Sequence, residues 1–251
     1  MNILLTNDDG IYADGILILY EAVKDLGNVT VVAPDTERSA VGHAITVANP
    51  LRVKQVNRKG RPFGYATSGT PADCIKLAIM SLLKDKPDLV ISGINLGPNT
   101  GYGVLYSGTV SGASEATILG VPSFAISLGT FENPDYSVAA GFAKQVAMRI
   151  RDKGLPKGVL LNVNVPALKK ENIKGIKITR QSRVAFKEDF DKREDPRKHT
   201  YYWLTGELID LQGEEDSDIR AIQDGYVSIV PIHCDMTHHG FIQDLKQWEF
   251  D

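Results

Sequence analysis

The chain has 251 residues, 43% hydrophobic and 24% charged, a composition typical of a globular protein that folds as one large domain. Its net charge of −3 and pI of about 6.0 argue against nucleic acid or an anionic membrane as a partner. It has two cysteines without metal-type spacing, no signal-type opening and no apolar run of about 20 residues, so we expect a cytoplasmic protein.

The first two thirds of the chain predict alternating strands and helices. Short apolar runs end in turn residues, and between them lie segments with apolar residues at helical spacing. The predicted strands are 3–5, 29–33, 88–93, 121–127 and 158–165, the predicted helices 15–26, 71–83 and 135–152, and the predicted hairpin 51–66. This alternation predicts an α/β fold with a doubly wound, mostly parallel sheet, a Rossmann-like three-layer core.

The pattern changes after Pro166. Residues 169–223 contain two stretches of mixed charge and an aromatic run at 199–204. We interpret them either as a hairpin arm that reaches a neighbouring subunit or as a solvated surface loop. Residues 224–231 predict a late strand, and 237–249 a tail helix. The predicted division is a catalytic core over 1–168, an arm over 169–223, and a late strand with tail helix over 224–251.

Oxygen-bearing side chains follow three of the predicted strands. Asp8 and Asp9 follow the first strand, Ser39 lies in the long loop after the second, and Asn95 follows the third. Open α/β sheets bind ligands at the carboxyl ends of their strands. Adjacent carboxylates repel each other unless a cation lies beside them. Two carboxylates, a hydroxyl and an amide, without His or Cys, favour Mg²⁺, Mn²⁺ or Ca²⁺ over zinc. Taken singly, each residue has a simpler interpretation as a polar turn or a loop hydrogen bond.

A glycine-rich segment over 93–116 leads into another predicted helix, with Ser107, Gly108 and Thr109 near its start. Backbone N–H groups and hydroxyls at a helix N-terminus form a ready site for an anion. The segment is not a Walker loop, because no Gly-Lys-Ser/Thr follows the glycines, and its spacing does not match a dinucleotide fingerprint. A metal ion beside a phosphate site predicts hydrolysis of a phosphoester.

Segments throughout the chain resemble the survival protein E (SurE) family. They are MNILLTNDDG, Arg38-Ser39-Ala40, Gly69–Cys74, Ser92–Asn95, Tyr106–Val110, Leu161–Asn164, Thr179–Gln181 and Gly225–Ser228. The resemblance therefore covers almost the whole chain. It implies a metal-dependent phosphatase that hydrolyses nucleoside 5′- and 3′-monophosphates, with exopolyphosphatase activity in some members.

The resemblance also implies roles for individual residues. It places one divalent ion on Asp8, Asp9, Ser39 and Asn95, with both aspartates and Asn95 as catalytic residues, and the phosphate on Ser107, Gly108 and Thr109. It implies a homodimer or homotetramer that uses the C-terminal part and a protruding hairpin. One departure concerns Gly103, where many members carry Asp, so the resemblance does not identify the general acid of this chain.

Two other functions stay open on the sequence. The site could bind a nucleotide or phosphate as a regulator, without turnover. The second alternative is a hydrolase that forms an aspartyl-phosphate intermediate. Such enzymes place their two aspartates at alternate positions, whereas Asp8 and Asp9 are adjacent, which argues against this alternative. His43 has two interpretations as well: it either protonates a leaving group or orients the loop that carries Ser39.

Overall fold

A nine-stranded sheet forms the centre of the molecule, and a two-stranded hairpin projects from it. The computed structural model describes residues 1–183, 186–208 and 214–250. The strands are β1 (Asn2–Thr6), β2 (Asn28–Pro34), β3 (Val53–Arg58), β4 (Arg61–Thr67), β5 (Leu89–Leu96), β6 (Ser123–Gly129), β7 (Val159–Pro166), β8 (Ile176–Ile178), β9 (Phe186–Glu194), β10 (Thr200–Leu208) and β11 (Val227–His233). The α-helices are α1 (Asp14–Val23), α2 (Pro71–Leu77), α3 (Gly108–Ile118), α4 (Ser137–Lys153), α5 (Asp218–Gln223) and α6 (Ile242–Leu245).

The strand order confirms the predicted doubly wound, mostly parallel α/β sheet. The order is β3-β4-β2-β1-β5-β6-β7-β11-β8, and every pairing from β4 to β7 is parallel. β3 joins one end through the predicted hairpin, and β11 pairs antiparallel with β7. Strands in the middle of such a sheet are covered on both faces, which is why they read as continuous apolar runs.

Helices cover both faces of the sheet. Successive residues of a strand point to opposite faces, so Ile3 and Leu5 pack with α1 and α4, while Leu4 packs with α2 and α3. All three side chains are 0–2% exposed. Burial of each contributes about 1.5–3 kcal/mol, so this short N-terminal strand anchors both layers of helices.

Two predicted helices are confirmed, and each ends in a turn that is not α-helical. The helix predicted over 15–26 appears as α1 followed by a 3₁₀ turn, Lys24–Leu26. The helix predicted over 71–83 appears as α2 followed by a π-helical turn, Ala78–Leu82. At the start of α2 the Thr70 hydroxyl accepts a hydrogen bond from the Asp73 N–H, and the Asp73 carboxylate accepts one from the Thr70 N–H. This reciprocal cap satisfies two N–H groups that the helix itself leaves unpaired.

The region over 169–223 is partly built into the sheet. β8 pairs with β11, and α5 buries Ile219 and Ala221. The part that projects is the hairpin of β9 and β10, which pair antiparallel along their whole length. The aromatic run predicted to lie in a hairpin forms β10.

The C-terminal tail differs from the predicted helix over 237–249. It contains only a 3₁₀ turn, His239–Phe241, and the four-residue helix α6. Gly240 disfavours a longer helix, and almost all residues of the tail are exposed, so burial of an apolar face does not stabilise one. Among the described residues, no helix combines the length and apolar character that a membrane crossing requires.

A buried carboxylate on α3 holds the long loop over 36–50. Glu115 is 3% exposed, its Oε2 lies 2.7 Å from His43 Nε2, and its Oε1 accepts a hydrogen bond from Lys76 Nζ. Burial alone would raise the pKa of Glu115, but the hydrogen bonds and charges of His43 and Lys76 outweigh it and hold the pKa below 4.5. This contact is the one expected if His43 orients the loop that carries Ser39, the second of its two interpretations.

Backbone contacts fix the same loop at a second point. The Ser111 hydroxyl donates to the Gly42 carbonyl at 2.8 Å, and the Gly42 N–H donates to the Tyr106 carbonyl at 2.9 Å. Further along, Asp73 accepts hydrogen bonds from the N–H and the hydroxyl of Thr46. The loop that carries Ser39 is therefore an ordered part of the fold.

We expect Glu115→Gln to lower the free energy of unfolding by about 1–2 kcal/mol at pH 7. This is less than for a fully buried ion pair, because the side chains of His43 and Lys76 are about one-third exposed. A lowered carboxyl pKa contributes stability above pH 4.5 that is lost as the pH falls through the folded-state pKa. The difference from wild type should therefore shrink between pH 5 and pH 3. Urea unfolding followed by circular dichroism measures it, with exposed Glu171→Gln as the control; an equal loss at both pH values would assign the effect to packing.

Candidate metal and phosphate site

The predicted site residues lie at one edge of the sheet. β1 pairs with β2 on one side and with β5 on the other, so the chain reverses its winding direction at this point, where doubly wound sheets open a crevice. Asp8 and Asp9 follow β1, and Ser39 follows β2. Asn95 lies near the carboxyl end of β5, and Ser107 follows that strand as the first residue before α3.

Asp8 is the residue that several of these segments contact. It is 4% exposed, its backbone carbonyl accepts a hydrogen bond from the Arg38 N–H at 2.7 Å, and its carboxylate accepts one from the Thr109 hydroxyl. A Cβ on Gly108 would lie 2.7 Å from the Asp8 Cβ and 2.9 Å from its Oδ2. Only glycine allows α3 to approach the aspartate this closely.

Asp9 contacts the end of β5. The backbone of Leu96 lies close enough to the Asp9 carboxylate to lower its pKa, against the opposing effect of burial. The neighbouring Asn95 uses its amide nitrogen as a donor to the Gly97 carbonyl, at 2.8 Å. The side-chain oxygen of Asn95 is thereby left as the group that can act as a ligand.

Both aspartates are held in surroundings that disfavour their charged form. Burial raises the pKa of Asp8, and the hydrogen bonds from Thr109 offset this only in part. Burial and the charge of Asp8 raise the pKa of Asp9 to about 7, and the charge of Glu37 adds to the shift. Two adjacent carboxylates shielded from water are costly unless a cation compensates them.

Two buried oxygens at this point have no hydrogen-bond partner. They are Asp9 Oδ2 and Asn7 Oδ1, while the amide nitrogen of Asn7 donates to the Gly10 carbonyl at 3.0 Å. A buried acceptor without a donor costs about 1–3 kcal/mol, and both oxygens belong to the classes that hard cations bind. The described ranges hold no cluster of three His, Cys, Asp or Glu residues that could bind a metal ion. The candidate ligands are instead a mixture of carboxylate, amide and hydroxyl oxygens. The residues present fit a divalent metal ion.

Ser39 is the least constrained of the four predicted ligands. It is exposed, and its hydroxyl donates to Glu37 Oε1 at 2.6 Å. A donated proton leaves the oxygen lone pairs of Ser39 available to a cation. The charge of Glu37 adds to the raised pKa of both aspartates, so Glu37 and its partner Ser39 lie within electrostatic range of them.

The turn before α3 divides its donors between the aspartate and the anion site. The hydroxyl of Thr109 donates to the Asp8 carboxylate, and the backbone of Thr109 also helps to lower the pKa of that carboxylate. Ser107 is the N-cap, and its oxygen accepts the Val110 N–H at 3.0 Å, so its hydroxyl proton stays available for a phosphate oxygen. The Gly108 N–H belongs to the first turn, whose donors have no partner within the helix. Ser107 and Gly108 thus fit the anion site, and Thr109 holds Asp8.

Sequence reasoning missed Asn7, Glu37 and the Leu96 N–H. A polar residue directly before the acidic pair was a usable signal for Asn7, whereas nothing in a sequence marks an individual backbone N–H. Gly103 lies in the 3₁₀ turn Gly101–Leu105, and a Cβ there would meet nothing within 4 Å. The fold therefore has room for a side chain at this position.

Comparisons with known proteins agree over almost the whole length of the chain. Residues 3–188 match the family model described as survival protein SurE. A 5′-nucleotidase SurE of Syntrophobacter fumaroxidans is 50% identical over 248 residues, which are 99% of this chain and 99% of the relative. A 5′-nucleotidase SurE of Syntrophus aciditrophicus is 52% identical over 98% of this chain and 93% of the relative.

A solved structure shows the same fold. The crystal structure of the SurE protein from Aquifex aeolicus superposes with a TM-score of 0.88 and 43% identity, over 98% of each chain. The sequence and structural matches extend through the segments that carry Asp8, Asp9, Ser39, Asn95 and Ser107. The chain belongs to the survival protein SurE family.

Proposed function

We propose that the protein is a divalent-metal-dependent phosphomonoesterase that hydrolyses nucleoside 5′- and 3′-monophosphates to nucleoside and phosphate. The observation that carries this proposal is the pair of desolvated carboxylates, Asp8 and Asp9, directly beside the N-terminus of α3. Such an arrangement suits a cation next to a phosphoryl group. Exopolyphosphatase activity on short chains belongs to the same proposal, since it needs no further site.

The protein is an enzyme of the 5′-nucleotidase class. Relatives named 5′-nucleotidase SurE are about half identical to it over nearly their full length. The finer features of the proposal, namely the metal ion, the 3′-activity and the roles of individual residues, rest on the site described above. The alternative is a regulator that binds nucleotides without hydrolysing them. The activity assay below distinguishes it from the enzyme.

In this proposal Asp8, Asp9, Asn95 and Ser39 hold one divalent ion, Mg²⁺ or Mn²⁺, with Ca²⁺ as a further candidate. The bound ion would supply positive charge that polarises the phosphoryl oxygens and favours attack by water. Asn7 adds a buried side-chain oxygen to the same pocket. Asn7 Oδ1 and Asp9 Oδ2 accept no hydrogen bond from the protein, so both would be available to the ion.

The residues of this chain position the reactants. The Ser107 hydroxyl and the first turn of α3 bind the phosphate, and Thr109 fixes the rotamer of Asp8. One water adds to phosphorus while the ester P–O bond breaks, and the leaving alkoxide takes up a proton. The Asp8 carboxylate accepts the Thr109 hydroxyl, and both aspartates would hold the cation, which would leave neither free to attack phosphorus. We therefore propose direct displacement with a single inversion and no phosphoenzyme.

We also propose that the protein is a homo-oligomer, a dimer or a tetramer, through the arm. The hairpin of β9 and β10 leaves Tyr202, Trp203 and Leu204 exposed, and neighbouring strand residues lie on opposite faces of a ribbon. A two-stranded hairpin is marginally stable in water unless another surface covers it.

The division into a core over 1–168 and an arm within 169–223 belongs to this proposal. A cytoplasmic location does too, because both cysteines are free thiols.

Metal removal and Asp9→Asn test the cation site. Without metal at pH 8, we expect Asp9→Asn to raise the Tm by about 2–4 °C, equivalent to about 1 kcal/mol, because it removes a desolvated charge. A raised carboxyl pKa makes the metal-free wild type lose stability as the pH rises from 3.8 to about 7, so the gain should be small near pH 4. Mn²⁺ at about 100 times its Kd should stabilise wild type by about 2.7 kcal/mol, and the variant far less.

Activity on AMP should vanish in EDTA, return with Mn²⁺ or Mg²⁺, and fall at least about 100-fold in Asp9→Asn. Exposed Asp85→Asn is the matched control for loss of a carboxylate and should change neither stability nor activity. Full activity in excess chelator would remove the metal from the mechanism. Metal binding without phosphate release from any monophosphate would instead favour the regulator.

Ser107→Ala tests the phosphate site. It should lower kcat/KM about tenfold for AMP and CMP alike, because the lost hydroxyl contacts the phosphate that both share. It also removes the N-cap of α3, at a cost of about 1 kcal/mol. Ser217→Ala is the matched control, because Ser217 caps α5 by accepting the Arg220 N–H at 3.3 Å. Both variants should lose stability and only Ser107→Ala should lose activity; an effect on one base alone would place Ser107 in base recognition.

Trp203→Ser tests the arm. We expect a lower mass by light scattering, because the substitution removes an exposed aromatic side chain from the proposed contact, while the circular dichroism of the core stays unchanged. Lys192→Ala is the control on the same hairpin. Lys192 pairs with Tyr202, the neighbour of Trp203, and therefore lies on the opposite face of the ribbon from Trp203. An unchanged mass at all protein concentrations would make the hairpin a surface feature without an assembly role.

A further inference from the structure

Exposed aromatic side chains gather at the edge of the sheet that carries the site. Outside the hairpin and the tail, the described part of the chain exposes four aromatic side chains, and each follows the carboxyl end of a strand of the parallel sheet: Tyr12, Tyr102, Tyr106 and Phe131. Exposed aromatic groups gathered at one place mark a surface that binds something. Phe131 is the most exposed of the four, at 74%.

The turn that carries Phe131 is held in place although its ring is exposed. The Thr130 hydroxyl donates to the Glu132 carbonyl at 2.9 Å and accepts the Glu132 N–H at 3.1 Å. The Thr130 N–H donates to the Leu128 carbonyl, which also accepts the Gly97 N–H at 3.0 Å. These bonds fix the turn after β6 against the end of β5.

The Phe131 ring rests on Gly97. A Cβ at Gly97 would collide with three atoms of the ring, and Gly97 has a φ of +106°. Glycine therefore serves two needs at this position, the backbone conformation and the space for the ring. An exposed ring fixed by its support has little freedom left to lose when a ligand arrives, which favours binding.

This support is directly joined to the catalytic edge. Gly97 follows Leu96, whose backbone lies close enough to the Asp9 carboxylate to lower its pKa, and the Gly97 carbonyl accepts the Asn95 side chain at 2.8 Å. The ring rests on Gly97, and one peptide unit leads from Gly97 to Leu96, so the ring lies on the order of 11 Å from the Asp9 carboxylate. A nucleoside attached to a phosphate at the site spans a distance of this order.

We propose that Phe131 is the surface on which the base of a nucleoside monophosphate stacks. The inference rests on the proposed function and adds the residue that distinguishes a nucleotide from a simple sugar phosphate. A phenyl ring offers a π-face to every base and no hydrogen-bonding edge, so it reads the presence of a base and not its identity. Ser107 and the metal site then bind the phosphate, and Phe131 binds the opposite end of the substrate.

Comparison of AMP with ribose 5-phosphate, the same phosphomonoester without a base, tests the proposal in the metal-loaded enzyme. Wild type should bind and hydrolyse AMP with a KM about tenfold below that for ribose 5-phosphate. Phe131→Ala should raise the KM for AMP about tenfold, with kcat little changed, and leave the constants for ribose 5-phosphate unchanged. Phe131→Tyr keeps an aromatic face and should restore the AMP value, whereas Phe131→Leu should not.

Ile178→Ala is the matched control, because Ile178 is equally exposed, at 73%, but lies on β8 at the far end of the sheet. Equal losses on both substrates would assign Phe131 a structural role and overturn the inference, as would a wild type that does not distinguish the two. If wild type releases phosphate from neither compound, the proposed function fails. In that case calorimetry decides the inference, since stacking does not require turnover. Wild type should bind AMP more tightly than ribose 5-phosphate, and Phe131→Ala should weaken the binding of AMP alone.

Discussion

The repulsion between two adjacent, desolvated carboxylates is the constraint on which the site depends. Asp8 and Asp9 sit at the end of a strand that anchors both layers of helices, and the pKa of each is raised. One of their own oxygens, Asp9 Oδ2, and the neighbouring Asn7 Oδ1 are buried without a donor. A cation would relieve such an unfavourable arrangement, so the cost of burying the pair and the metal site that we propose there have one physical origin.

Helix α3 connects the parts of the site to one another. Its first turn provides the proposed anion site, Thr109 fixes Asp8, and Gly108 lets the helix approach that aspartate. About two turns further along, Glu115 holds the loop that carries Ser39 through His43 and Lys76. The proposed phosphate site, the proposed metal ligands and the loop all contact this one helix, which suits a reaction whose catalysis depends on placing charge accurately.

The exposed surface divides into regions with different chemistry. Aromatic rings beside the site, such as Phe131, lie at the ends of strands on turns fixed by hydrogen bonds. Those of the hairpin lie on a two-stranded ribbon outside the core sheet. The first kind is preorganised for a small flat ligand, and the second needs a larger surface to cover it. This difference in support is the reason for assigning substrate to one region and subunit contacts to the other.

The sequence by itself determined the order of strands and helices, the parallel sheet and the edge at which Asp8, Asp9 and Asn95 meet. These features follow from local apolar periodicity and from the rule that parallel strands end at one edge. Only the tertiary structure decided that Thr109, 101 residues away, binds Asp8, that burial raises both aspartate pKa values, and that the tail is not a long helix. These outcomes depend on contacts and on shielding from water between distant segments, which local patterns do not encode.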